Sequence, residues 1–304
     1  MQEFCKKIKS DFKNNKSLYL MILPVIVFFV VFMYVPMYGA IIAFKDYSPI
    51  KGIGGSHWVG MKHFARFFSS VYFWRVLKNT FLLSLYSLIW GFPAPIILAL
   101  LLNEVKGKLF KKTVQTITYL PHFVSLVVIA GLIKNFSGSD GLINDIISSL
   151  GGQRMPLLDQ INYFRTIFIS SDIWQQIGWN SIIYLAALSG VDEQLYEAAR
   201  IDGANRWKQT INVTLPAISS TIVILLILRL GNLLTIGFEK IILLYNPGIY
   251  EVADVISTYV YRTGLLELNW SYSTAIGLFN SLLNFILLIM ANRISKRFSE
   301  TSLW

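Results

Sequence analysis

The length of its apolar runs limits what this chain can fold into. Six stretches, residues 18–44, 76–102, 114–134, 170–190, 216–236 and 272–292, are each mainly apolar over at least 21 residues. A helix needs about 20 such residues to cross the roughly 30 Å hydrocarbon core of a bilayer. Gln175, Gln176 and Asn180 interrupt the fourth run and make it the weakest. Of all residues 54% are hydrophobic and only 14% are charged, against about 25% charged in an ordinary soluble domain. The expected fold class is therefore an all-α membrane protein with six transmembrane helices, its surface partner being membrane lipid.

The net charge is +10. The basic residues sit beside the apolar runs and no base-stacking motif accompanies them, so they point to orientation in a membrane and not to nucleic acid. One set of connections carries Lys6, Lys7, Lys9, Lys13 and Lys16, then Lys106, Lys108, Lys111 and Lys112, then Arg200, Arg206 and Lys208, then Arg293, Lys296 and Arg297, which makes 15. The opposite set carries 10, and Lys78 and Arg229 fall inside predicted spans. This bias predicts that both termini and the 191–215 loop face the cytoplasm of a bacterial cell. It divides the chain into a cytoplasmic tail at 1–17, a transmembrane domain at 18–294 and a second cytoplasmic tail at 295–304. The first run is too long for a cleaved signal sequence, and no A-x-A site follows it. The single cysteine, Cys5, carries no disulfide information.

Catalytic signatures are missing. Gly55 to Gly60 approaches a phosphate-binding loop, but Met61 stands where lysine is required. His57, His63 and His122 lack metal-ligand spacing. SGSDG at 137–141 reads as a loop, and no acid, base and nucleophile converge in the sequence. No metal site and no cofactor site are expected in this chain.

The polar stretch YEAARIDGANRWKQTINVTLP, 196–216, is then out of place between two apolar runs. Gln194 to Ile201 favours helix, and Asp202-Gly203 breaks it at a residue that tolerates a left-handed turn. Ala204, Trp207 and Ile211 suit one face of a second short helix, and Pro216 suits the first turn of span five. Ala198 and Ala199 would let another surface come close, with Glu197 beside them. A solvated loop lying on the membrane would share this composition.

The pattern within the stretch is more specific. E-A-A-x-x-x-G, a gap of nine residues and I-x-L-P form the signature of importer-type ABC permeases. Glu197, Ala198, Ala199, Gly203, Leu215 and Pro216 match it, and Val213 replaces the isoleucine. NSIIYLAALSGVDEQLYEAARIDGANRW at 180–207 resembles the carbohydrate-uptake branch. YLPHFVS at 119–125, GFEKIILLYNP at 237–247 and DVISTYVYRTGL at 254–265 resemble the LplB-type branch for complex oligosaccharides. The resemblance implies a type I ABC importer permease fold whose cytoplasmic loop, Asp202 included, is the coupling element seated in a groove of an ATPase. It further implies a second homologous permease, two ATP-binding subunits or a homodimeric ATPase, and an extracellular or periplasmic solute-binding protein. ATP and magnesium would then be bound by the ATPase and not by this chain.

Candidate pathway residues are polar at membrane depth. Gln176, Asn180 and Tyr184 share a helix face at i, i+4 spacing, and Gly277, Asn280 and Asn284 form a similar stripe on span six. Both stripes also suit bonding between helices. Arg229 lies 13 residues beyond Pro216, about 20 Å along a helix, and should face the bundle because a lipid-facing arginine there costs about 2.5–3.5 kcal/mol. An ABC permease for a non-sugar solute, an ion-coupled secondary carrier and an intramembrane enzyme are the rival readings.

Overall fold

The computed structural model describes residues 14–298, and the protein is mostly helical over that range. The expectations for Cys5, for the basic residues before Asn14 and for the chain beyond Phe298 lie outside the described residues, as does the side chain of Arg297. Helix α1, Lys16–Phe44, projects outward with none of its most apolar stretch buried. Only its last turns, Tyr38–Phe44, pack on the final long helix. Two short antiparallel strands, β1 Lys45–Asp46 and β2 His57–Trp58, close the next loop. Then come α2 Lys62–Phe68, α3 Phe73–Glu104, α4 Lys108–Tyr119 and α5 Leu126–Ser149, which loosens into a turn at 138–141. Helix α6, Ile161–Ser189, is followed by α7 Glu193–Ile201, α8 Arg206–Ala217 and α9 Ser219–Gly231. The chain ends in α10 Phe238–Leu244, α11 Ile256–Tyr261 and α12 Trp270–Phe298.

Length and composition account for some of the six predicted runs and not for all. Among the described residues four helices are long and apolar enough to cross a membrane, α1, α3, α5 and the Trp270–Ile294 part of α12, and the bent pair α8–α9 makes a fifth if it counts as one span. The run at 114–134 is split. Helix α4 stops at Tyr119, Leu120–Phe123 forms a 3-10 turn around Pro121, and Val124 is extended. Ser125 then caps α5 by accepting from Val128 N at 3.4 Å. The run at 216–236 shrinks to α9, 13 residues, bent by 63° from α8. Pro216 does not open that span but lies inside α8, and the bend falls at Ile218. Helix α6 starts nine residues before 170, and its 29 residues give it length. Its polar residues keep it out of the apolar class.

Prolines explain much of the irregularity. Proline cannot donate to the carbonyl four residues back, and its ring crowds that carbonyl. Three helices answer by widening into a π turn just ahead of a proline: Phe29–Tyr34 before Pro36, Ser87–Gly91 before Pro93, and Thr210–Thr214 before Pro216. Such wide turns swing side chains away from their regular helical positions.

Helix α6 is the central rod. Gly178 brings it against the end of α4, where any Cβ would overlap the Thr118 carbonyl. Phe164 and Phe168 pack with Leu83 of α3, Ile129 of α5 and Ile241 of α10 in the largest apolar core. Near its first turns a polar network ties three segments together. Asp254 is fully buried and binds Arg75 of α3 at 3.0 Å and Arg262 at 2.7 Å. Asn79 donates to the Glu251 and Asp254 carbonyls at 2.8 and 3.1 Å, and its Oδ1 accepts from Arg165 Nη2 of α6 at 2.9 Å. Taking one partner out of a buried ion pair costs about 3–5 kcal/mol. Both guanidiniums keep some solvent, so Asp254→Ala should cost about 3 kcal/mol, the low end of that range. Thermal unfolding in detergent should show a clear loss, with Asp254→Asn between it and wild type. An unchanged melting temperature would deny the network this role.

Candidate functional site

Two features stand out from the lipid-facing surface: a polar cleft beside α6 and the helical pair at 193–217. The cleft holds about 510 Å³ and lies between α6, α9 and the proline turn of α3. From α6 it takes Asp172, Gln176, Asn180 and Tyr184, a stripe at every fourth residue. From α9 it takes Leu225, Leu228 and Arg229, and from α3 it takes Gly91, Phe92 and Pro95. Gln176, Asn180, Tyr184 and Arg229 are thus brought together in one place. Tyr184 is buried, Gln176 half-buried and Asn180 exposed.

Each polar group is positioned by a neighbour. Gln176 Oε1 accepts from His122 Nδ1 at 2.9 Å, and the His122 ring stacks on Trp179 at 4.5 Å with planes 2° apart. Arg229 Nη2 donates to Ser87 Oγ at 2.6 Å. Ser87 opens the π turn ahead of Pro93, so the proline sets where this acceptor points. Arg229 and Asp172 also line a smaller cavity of about 100 Å³ behind the cleft. Lys240, buried at the start of α10 and outside both linings, reaches Asp172 at 3.6 Å and the Phe168 carbonyl at 3.3 Å. The wall itself carries two charges, Asp172 and Arg229.

Asn280 and Asn284 are not in the cleft. Asn280 joins Gly277 in a separate groove of about 400 Å³ against α11, with its Oδ1 buried and unbonded. Asn284 accepts from Leu234 N at 3.0 Å and donates to Thr235 Oγ1 at 3.1 Å, which pins the chain after α9 to α12. Asp172 and Ser87, which line the cavities, and Lys240 and His122, which contact lining residues, are groups that sequence reasoning did not gather. Asp172 had a signal, since it extends the i, i+4 stripe one step back. Among the described residues no group of three or more His, Cys, Asp or Glu is arranged to hold a metal ion.

The second feature is built locally. Asp192 caps α7 by accepting from Gln194 N at 2.9 Å. The helix ends where Gly203 takes φ +74°, a left-handed turn, and Ala204 N returns to the Ala199 carbonyl at 2.9 Å. Asn205 caps α8 through Lys208 N at 2.9 Å. Tyr196 and Thr214 hydroxyls meet at 3.0 Å, and Gln209 Nε2 donates to the Ala204 carbonyl at 2.7 Å, which clamps the pair. Arg206 pairs with Glu104 at the end of α3 at 3.3 Å. Glu197, Ala198, Asp202, Gly203 and Pro216 are exposed, while Ala199 and Leu215 are half-buried. Ile201 at 87% and Trp207 at 72% exposure add bare apolar surface to this polar knob, a combination that marks a protein contact.

Broken apolar helices around a polar cleft, with a rigid knob held to one side, define a membrane transport subunit. The chain belongs to the family of binding-protein-dependent transport system inner membrane components, whose model matches residues 91–300. Among its relatives is YteP of Bacillus subtilis (strain 168), a polygalacturonan/rhamnogalacturonan transport system permease protein. YteP is 49% identical over 300 residues, covering 98% of this chain and 94% of the relative. The LplB protein of the same organism is 45% identical over 293 residues, covering 96% and 92%. One chain of the crystal structure of a bacterial ABC transporter that imports the acidic polysaccharide alginate matches with TM-score 0.89 at 46% identity, covering 96% of this chain and 99% of that one. A second structure of a bacterial alginate ABC transporter, in complex with an alginate pentasaccharide-bound periplasmic protein, matches with TM-score 0.90 at 46% identity, covering 97% and 99%. This membership sets aside the lone ion-coupled carrier and the intramembrane enzyme.

Arg229→Leu removes a charge-assisted bond worth about 1.5–3 kcal/mol and turns the cleft wall apolar. It should lower uptake at limiting substrate about tenfold while membrane insertion stays normal. Wild-type uptake by the variant would show that Arg229 has no part in the pathway.

Proposed function

We propose that this chain is one of two permease subunits forming the pore of an ATP-driven carbohydrate importer, and that its cargo is an oligosaccharide bearing uronate carboxylates. The observation that carries this reading is the cleft where Gln176, Asn180 and Tyr184 meet Arg229. Amide and hydroxyl groups match sugar hydroxyls, and an arginine fork matches a carboxylate. Relatives that serve polygalacturonan and alginate support the acidic character of the cargo.

Helix α6 counts as a span in this reading, since its polar residues face the cleft and not lipid. With α8 and α9 as a broken span, the importer has six crossings. The 15-to-10 basic bias supports cytoplasmic termini and a cytoplasmic knob. A solute-binding protein delivers the sugar, a second homologous permease completes the pore, and two ATP-binding subunits or a homodimeric ATPase hold ATP and magnesium. The ATPases bind the knob through Glu197, Ala198 and Ala199. Only three residues separate Ser189, the end of α6, from Glu193, the start of α7. Displacement of the knob therefore moves the cleft wall directly. Open and closed ATPases contact the knob differently, and that difference shifts the pore between inward- and outward-facing states.

Cysteine labelling from outside should miss a probe at Gln194 and reach one at Gly54; the reverse pattern would detach the knob from any cytosolic ATPase. Gly203→Val and Glu197→Lys test coupling itself. No atom crowds Gly203, so valine there acts through backbone strain, about 1–2 kcal/mol for a left-handed residue. Both variants should lose most transport and substrate-stimulated ATP hydrolysis in the reconstituted complex. Sugar binding to the separate delivery protein should be unaffected. Full coupling in both would reduce the knob to a solvated linker.

A further inference from the structure

A second groove of about 600 Å³ runs along the first half of α6. Ile173 lines both it and the central cleft, and Trp90 in this groove adjoins Gly91 in the other. On α6 the groove takes Asn162, Arg165, Thr166, Ile169, Ser170 and Ile173, and the cleft continues through Ile177, Asn180 and Tyr184. Those positions recur at three- and four-residue steps, so groove and cleft lie on one continuous helix face. Arg165 is 11 residues before Gln176, about 16 Å along the helix, and farther from the knob.

Arg165 has a charge that its surroundings do not neutralise. Its Nη2 donates to Asn79 Oδ1 at 2.9 Å, its Nε is buried without a partner, and no ion pair to it occurs among the described residues. Asp254, the nearby acid of the polar network, is already shared by Arg75 and Arg262. Trp90, 64% exposed, borders the same groove. It sits in the π turn that also presents Ser87 to Arg229. A fixed guanidinium beside an open indole face is what a carboxylated sugar ring requires: a bidentate anion partner and a flat apolar platform.

We propose that this groove is an outer subsite for one uronate residue of the incoming oligosaccharide, with Arg165 binding the carboxylate and Trp90 the ring face. The proposal rests on the acidic-carbohydrate reading above and adds a second contact point ahead of the central cleft. The chain would then hold its cargo at two arginines spaced along α6, Arg165 first and Arg229 deeper.

The test is calorimetric binding to the purified importer complex in detergent, with the delivery protein left out. The probes are a galacturonate trisaccharide and its fully methyl-esterified form, which keeps the rings and loses the charges. Wild type should bind the acid form more tightly, and added salt should narrow the gap. Arg165→Gln should weaken the acid form about tenfold, equal to about 1.4 kcal/mol, and leave the ester unchanged. Trp90→Leu, at a surface position, should weaken both. Unchanged acid binding in Arg165→Gln, equal loss of both probes in that variant, or no preference for the acid form in wild type would each overturn the subsite. ATP-driven uptake by the same complex in vesicles is read separately. Its absence in wild type counts against the importer reading, and normal uptake with unchanged binding in Arg165→Gln counts against the subsite alone.

Discussion

One buried carboxylate organises the half of the molecule remote from the knob. Asp254 has no solvent exposure, and its two oxygens receive Arg75, Arg262 and the Thr258 hydroxyl. Two guanidiniums against one carboxylate repel each other, so both are also held over aromatic rings: Arg75 over Tyr72 at 4.8 Å and Arg262 over Tyr250 at 4.8 Å. Burial pushes the nearby Tyr259 hydroxyl up from its ordinary pKa, and this hydroxyl meets that of Tyr272 at 3.3 Å. The segment at 247–266 contains no long helix, and this cluster fastens it to α3 and α12. The start of α6 joins the same region through the main chain: Arg165 donates to Asn79, and Asn79 donates to the Glu251 and Asp254 carbonyls.

From that anchor α6 passes as one helix along the groove and the cleft and ends beside the knob. From Arg165 to Ser189 is 24 residues, about 36 Å of continuous helix. The prolines divide the labour around it. Pro93 and Pro216 each follow a wide turn, one that carries Ser87 and Trp90, the other within α8 ahead of its bend to α9. Regular and irregular parts are thus separated: α6 is one uninterrupted helix of 29 residues, and its neighbours carry the wide turns.

The sequence made some of this legible and hid the rest for physical reasons. Helix existence was readable wherever apolar length sets it, as for α1, α3 and α12. The knob was readable because its information is local: a capping aspartate, a left-handed glycine and a capping asparagine all act within a few residues. The stripe Gln176, Asn180, Tyr184 was readable because helical period fixes a shared face. What failed was tertiary. Pro121 split the run at 114–134, so the apolar helix long enough to cross a membrane begins only at Leu126. Pro216 fell inside α8 and not at the head of a span. Asn284 and Gln176 look alike in sequence, yet one fastens a loop and the other faces the cleft, because a helix period does not say which neighbour lies opposite. Arg75 and Arg165 entered only as basic residues of the outer set, and Asp254 only as the first residue of DVISTYVYRTGL; nothing in a sequence separation of 179 residues between Arg75 and Asp254 announces their meeting.

On the six-crossing proposal, helix α6 also shows why hydropathy undercounts the spans of a transporter. A helix that lines a polar path must give one face to water and cargo, so its mean hydropathy falls as its use to the pathway rises. Here Asp172, Gln176 and Asn180 lower the average of a helix that also carries Phe164, Phe168 and Leu188 in the core. The strongly apolar α1 illustrates the opposite case: it satisfies every length and composition requirement and lines neither the cleft nor the groove. Weakness of the apolar signal, in a helix of full length with its polar residues in phase, is therefore what the helix lining the polar cleft should show.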